Sequence, residues 1–298
     1  MGIVISPRGA SPSIASMKPV KRKDASCPLP PPYPSTIARL IGTPQCPTLI
    51  DVRTEEDFSA DPRLVPGSGR RSHQDVQDWS GAIAGKTAII ICQQGKKLSE
   101  GAAAWLRNKG VAAESLEGGF EAWTAAGLPV VPVDRLPQTA ALGGSVWVTR
   151  ARPKIDRIAC PWLIRRFIDP QAVFLFVAPQ EVAAVGERFD AVPFDIEDVF
   201  WSHRGELCTF DVMVAELKLS TEPLLRLATM VRAADTGRLD LAPQAAGLLA
   251  ASLGLSRMFA NDLEQLEAGM LLYDAFYRWC RDATDENHNW PNAKGKSA

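Results

Sequence analysis

The chain has 298 residues, 46% hydrophobic and 22% charged, with 33 basic and 34 acidic side chains leaving a net charge of −1. That length fits about two domains of roughly 150 residues, each able to bury a core without disulfide or metal staples. The balanced charge speaks against a strongly basic nucleic-acid binder, and no uninterrupted apolar run approaches the roughly 20 residues that span a bilayer.

Residues 1–34 read as a disordered leader, rich in Ser, Pro, Lys and Arg and without the apolar stretch of a signal peptide. The prolines of CPLPPPYP (27–34) bar a helix or a central strand, so folded structure is expected just after, with a helix at Ser35–Ile41. Thr48–Val52 and the β-branched run Thr87–Ile91 predict buried strands. Leu98–Lys109 predicts a helix ended by Gly110, followed by a strand at Ala112–Leu116, a Gly118-Gly119 turn and a helix at Phe120–Ala126. Strand, helix and strand in this order imply an α/β unit with a parallel sheet over 35–131.

Residues 132–144, Pro- and Gly-rich and without periodicity, read as a linker. The second unit, 145–283, is predicted as α+β and mostly helical. Its strands are expected at Val146–Thr149, Val173–Val177 and 191–196, and its helices near 161–168, 179–188, 209–218, 221–235, 243–255 and 258–282. The polar tail 284–298, with His288, is expected to be disordered. The six cysteines, at 27, 46, 92, 160, 208 and 280, include no CxxC pair, which is the pattern of reduced thiols in a cytoplasm.

Cys92 follows its strand directly and opens the loop Cys92-Gln93-Gln94-Gly95-Lys96-Lys97 in front of a helix. Such a loop can turn several backbone N–H groups inward, and the helix dipole adds to their pull on an anion or a thiolate. Lys96 and Lys97 add positive charge for an anionic donor. The plainer alternative is a buried strand-end cysteine beside two solvated lysines. A phosphatase-type cradle needs Arg six positions after Cys, and that position is Leu98. Asp51 and Arg53 at a strand end read as an ion pair that holds the fold.

Residues 35–131 resemble the rhodanese-like sulfurtransferase domain. The resemblance rests on Leu49-Ile50-Asp51-Val52-Arg53 with Asp57-Phe58, Val65-Pro66-Gly67-Ser68, the cysteine loop, and Leu116 to Trp123 with Gly127-Leu128-Pro129. It implies that Cys92 takes the outer sulfur of a donor such as thiosulfate as a persulfide and passes it to a thiol acceptor. The backbone amides of 93–97, those of Gln93, Gln94 and Gly95 among them, would then stabilise the persulfide, and Lys96 and Lys97 would hold the donor's charge.

In the second unit, Pro161 suits the first turn of a helix with Cys160 as its N-cap, beside Arg157, Arg165 and Arg166. That corner could bind chromate or another oxyanion, unless the arginines are taken by acids of the same unit. His203, Cys208 and Asp211, joined by Asp235 and Glu267 from the helices, form a candidate site for a divalent metal. Glu267 and Asp274, seven apart on one helix face, need either a metal or arginines as partners. Trp105, Trp123, Trp147 and Trp279 are expected in the core.

Residues 145–283 resemble the C-terminal domain of the chromate-resistance protein B family. The carrying stretches are Lys154–Pro170, Ser202–Gly205 with Cys208–Asp211, Val231–Asp235, Ala246–Leu248, and Leu266–Met270 with Tyr273–Tyr277. The resemblance implies a role in chromate resistance. The whole therefore reads as a cytoplasmic sulfurtransferase coupled to a chromate-resistance domain. The alternatives are a chromate-responsive regulator or an oxidant sensor without sulfur turnover.

Overall fold

The computed structural model describes residues 32–137 and 144–286. Most of the leader, residues 138–143 of the linker and most of the tail, His288 included, lie outside the described residues. Among those described, no helix is long and apolar enough to cross a membrane.

The first unit runs α1 (Pro34–Leu40), β1 (Thr48–Asp51), α2 (Glu55–Ala60), β2 (Arg63–Leu64), β3 (Ser68–Arg70), α3 (Val76–Trp79), β4 (Thr87–Ile91), α4 (Lys97–Asn108), β5 (Ala112–Ser115), α5 (Gly119–Ala125) and β6 (Val131–Pro132). Four parallel strands lie in the order β3-β1-β4-β5, while β2 and β6 make a separate antiparallel pair. Strand β4 is central, and Ala88 to Ile91 are all fully buried, as a strand covered on both faces requires. Helix α1 starts on Pro34, whose missing N–H costs nothing in a first turn. Helix α2 is held by Thr54, whose hydroxyl accepts from the Asp57 amide, and by three acids in its first turn.

The second unit runs β7 (Val146–Arg150), α6 (Asp156–Phe167), β8 (Val173–Val177), α7 (Val182–Phe189), β9 (Val192–Pro193), α8 (Thr209–Glu216), α9 (Glu222–Asp235), α10 (Ala245–Met258) and α11 (Asp262–Asp282). Its three parallel strands lie in the order β8-β7-β9, and helices dominate the rest. The two units share one apolar layer: Ile37, Ile41 and Trp123 belong to the same cluster as Phe167, Leu224 and Tyr277. Gly42 lies so close under the Phe167 and Tyr277 rings that a Cβ there would strike both, and the Gly67 amide donates to the Phe167 carbonyl at 2.5 Å.

The structure departs from these expectations in three ways. Helix α2, strands β2, β3 and β6 and helix α3 go unpredicted, because strands of two or three residues and helices of under two turns are too short to show a period. Helix α6 begins at Asp156, not near 161, so Pro161 lies inside it. Proline removes one helical hydrogen bond there, and the burial of nine of the twelve helix residues offsets that loss. Trp105 is 46% exposed on α4, although Trp123 and Trp147 are buried as expected and Trp279 is partly buried.

Candidate functional site

The loop after β4 sorts its backbone polarity. The carbonyl oxygens of Cys92 and Gln93 accept from the amides of Phe120 and Glu121, at 2.9 and 3.0 Å. That of Gly95 accepts from Ser115 Oγ at 3.3 Å, and that of Lys96 from Ser99 Oγ at 3.1 Å. The amides of Gln93, Gln94, Gly95 and Lys96, in contrast, make no hydrogen bond among the described residues. With four of the five carbonyls from Cys92 to Lys96 used and its donors free, such a loop is built for an anion. Gly95 (φ +67°) and Gly119 (φ +61°) make the fold of this loop feasible. A side chain on Gly119 would enter the space of the Cys92 and Gln93 carbonyls, and one on Gly95 that of the Leu116 carbonyl.

Cys92 itself is 5% exposed. Its Sγ lies 3.0 Å from Ser99 Oγ and 3.7 Å from the Lys96 carbonyl, and Ser115 donates to Ser99 Oγ at 2.6 Å. Lys96 and Lys97 are exposed at the loop's outer end, as is Gln94, while Gln93 reaches Glu121 at 3.3 Å. Ser99 and Ser115 are the residues that reading the sequence missed. Nothing marks a serine in a helix's first turn as a thiol partner until β5 is folded beside it. With the thiol ionised, the Ser99 hydroxyl turns to donate to sulfur, a bond to a charged acceptor. Ser99→Ala therefore bears on the sulfur uptake that the resemblance implies: uptake from thiosulfate is expected to slow about tenfold at unchanged thermal stability, measured by stopped-time intact mass. Uptake within twofold of wild type would remove Ser99 from this role.

The first unit's Asp51–Arg53 pair is wholly buried. Arg53 Nε donates to Asp51 Oδ2 at 2.8 Å, Nη1 donates to the Asp61 carbonyl at 3.0 Å, and the guanidinium stacks 3.8 Å over Phe120. It is part of the fold's frame rather than of the loop.

In the second unit the oxyanion corner does not form. Cys160 is an interior residue of α6, fully buried, and burial pushes its thiol well above the ordinary range. Arg165 is paired to Glu267 at 2.6 Å, and Arg166 makes two 2.8 Å bonds to Asp274, which also accepts from Trp162 Nε1. The two carboxylates of α11 thus have arginines as partners, and Glu267 is absent from the site around His203. Asp211 accepts from Arg232 at 3.0 Å and from the Cys208 amide at the start of α8, so it too is committed elsewhere. Cys208 is the buried N-cap of α8, and burial raises its thiol far out of reach of ionisation.

His203 and Asp235 do meet, with two acids that the sequence reading did not single out. His203 Nε2 lies 3.5 Å from Asp156 Oδ2, 3.4 Å from Asp195 Oδ1 and 3.3 Å from Asp235 Oδ2. Asp156 opens α6 after Ile155, whose φ of +38° is a strained value for a β-branched residue. Its Oδ2 accepts from the Thr209 amide at 2.6 Å. Asp195 follows β9, accepts from Thr209 Oγ1 at 2.9 Å, and meets Arg157 at 3.3 Å and Arg150 at 3.4 Å. Arg157 therefore serves this cluster and no corner with Cys160. The Asp156 and Asp195 carboxylates facing Nε2 hold the His203 imidazole protonated, up to about 10. Burial, then the charges of Asp156 and Asp195, push Asp235 up to about 7, and burial raises Asp156 as well. For Asp195 burial works upward too, but the bonds from His203 and Thr209 and the charge of Arg157 outweigh it.

Comparison with known proteins divides the chain at the same seam. Residues 34–126 match the rhodanese-like domain model, and residues 147–280 match that of the ChrB C-terminal domain. Protein ChrB of Cupriavidus metallidurans is 35% identical over 135 residues, which are 45% of this chain; the chain spans 40% of that relative's length. Among solved structures, a rhodanese-related protein from Thermoplasma volcanium aligns with 33% of this chain and 94% of its own, at 22% identity and a TM-score of 0.29. A thiosulfate sulfurtransferase from Pseudomonas aeruginosa aligns with 34% of this chain and 19% of its own, at 23% identity and a TM-score of 0.29.

Proposed function

We propose that this chain, which joins a rhodanese-like domain to a ChrB C-terminal domain, is a chromate-resistance protein that moves sulfane sulfur through a persulfide on Cys92. The observation that carries this reading is the loop 92–97, with the carbonyls of Cys92, Gln93, Gly95 and Lys96 tied back and the amides of Gln93 to Lys96 free, around a thiol 3.0 Å from Ser99 Oγ.

In the first step the Cys92 thiolate attacks the outer sulfur of thiosulfate. A sulfur–sulfur bond forms on Cys92 as the bond to the sulfonate sulfur breaks, and sulfite leaves with the electron pair. The free amides of Gln93 to Lys96 face the negative charge of the persulfide, and Lys96 and Lys97 attract the dianionic donor. In the second step an acceptor thiolate attacks the outer persulfide sulfur, and Cys92 leaves as thiolate. Sulfur changes hands with no outside oxidant or reductant.

Incubation of the full chain with thiosulfate tests this directly. The expected result is a gain of one sulfur atom in the intact mass, matched by one sulfite released, and its loss on adding a small thiol. A chain that gains no sulfur would make the loop an oxidant-sensing or docking element.

A further inference from the structure

The cluster around His203 has a geometry that its own hydrogen bonds do not account for. One Nε2–H faces three carboxylate oxygens at 3.3 to 3.5 Å, where a charge-assisted N–H···O bond runs about 2.7–2.9 Å. No single acceptor has captured the proton. The same spacing suits a metal: an ion about 2.1 Å from each of two ligands at the tetrahedral angle sets them about 3.4 Å apart. Ligand atoms of Asp156, Asp195 and His203 all lie within 4.8 Å of one another.

A second observation is independent of that spacing. The Asp156 side chain is 1% exposed, and its other oxygen, Oδ1, is buried with no hydrogen-bond partner among the described residues. A buried carboxylate oxygen left without a donor costs on the order of 1–3 kcal/mol, more when charged. An ion seated in the cluster is one way such an oxygen is satisfied.

We propose that Asp156, Asp195 and His203 form a binding site for one divalent transition-metal ion, with Asp235, 3.3 Å from His203 Nε2, at its edge. Two carboxylates and one imidazole are a hard-to-borderline donor set, suited to zinc(II) or manganese(II) rather than to a thiolate-seeking ion. The three ligands come from the start of α6, the segment after β9 and the segment before α8, so the ion would tie three parts of the second unit together. Arg150 and Arg157 bind the far oxygen of Asp195 and supply the outer shell that orients a ligating carboxylate. His203, 41% exposed, is the solvent-side ligand and gives the ion its way in. The inference is independent of Cys92 and stands or falls apart from the sulfur chemistry.

The test is titration of the chelator-stripped full chain with zinc(II), and with manganese(II) by electron paramagnetic resonance. The expected result is one equivalent bound by wild type, weakened roughly tenfold or more in His203→Ala and in Asp156→Asn. Glu267→Gln, remote from the site, and Cys208→Ser are expected to bind as wild type does. His203 is a half-exposed side chain, so its variant folds even where Asp156→Asn, which also caps α8, does not; circular dichroism checks both. Failure of the folded wild-type chain to bind either ion overturns the proposal. So does binding that survives in folded His203→Ala, or that disappears in Cys208→Ser alone.

Discussion

Cys92→Ser is expected to take up no sulfur from thiosulfate and to pass none to a thiol, against the one sulfur atom per chain proposed for wild type. The hydroxyl that replaces the thiol is not ionised near neutral pH and forms no persulfide. No other described cysteine can stand in. Cys160 and Cys208 are fully buried, and burial pushes the thiol of Cys46 up to about 12 and that of Cys280 up to about 11. The fold tolerates the change, because serine is smaller than cysteine and its hydroxyl meets a neighbour, Ser99, with which it can hydrogen-bond. Intact mass and sulfite release measure the outcome, with thermal unfolding as the control. Sulfur taken up by the serine variant at the wild-type level would remove Cys92 as the carrier.

The largest effect on stability is expected at Arg53. Arg53→Met keeps much of the side chain's bulk over Phe120 but leaves Asp51, 1% exposed, without its counter-ion, and the Asp61 and Arg63 carbonyls without their donor. Removing one partner of a buried, hydrogen-bonded ion pair costs about 3–5 kcal/mol, a large fraction of what holds a domain folded. The Arg70 guanidinium, 3.7 Å from Asp51, is too far to replace the lost bonds without moving. Urea unfolding followed by tryptophan fluorescence reads the loss. A variant within about 1 kcal/mol of wild type would mean that Asp51 finds another partner or takes up a proton at small cost.

Much of the first unit is legible because its signals are local. Thr87–Ile91 is a continuous β-branched run, Gly110 ends α4, and the cysteine loop occupies six consecutive residues between a strand and a helix. A reader needs no tertiary knowledge to place Cys92 at that junction. The second unit differs. Asp156, Asp195, His203 and Asp235 come from four segments spread over eighty positions, and only the packing of α6, α8 and α9 brings them together. His203 and Asp235 attract attention as residue types, but Asp156 and Asp195 look like any acid next to a helix or a turn. Cys160 is misplaced by a sound rule applied to the wrong turn: proline does favour the first turn of a helix, but α6 begins five residues before Pro161. The arginines 165 and 166 look available for an anion until α11 folds across them and supplies Glu267 and Asp274.

The apolar layer shared by the two units limits how the chain can be taken apart. Cut after residue 137, the first unit would turn Ile37, Ile41 and Trp123 toward water where Phe167 and Tyr277 now cover them. The second, expressed alone, would lose its cover over the same rings. Each piece would carry an apolar face of the kind that drives self-association. The two halves are thus separable on paper, as family matches, but not as reagents. A truncation that fails to show sulfur uptake or metal binding would report on its sticky new surface as much as on its chemistry. Point substitutions in the intact chain are the sound way to assign either activity.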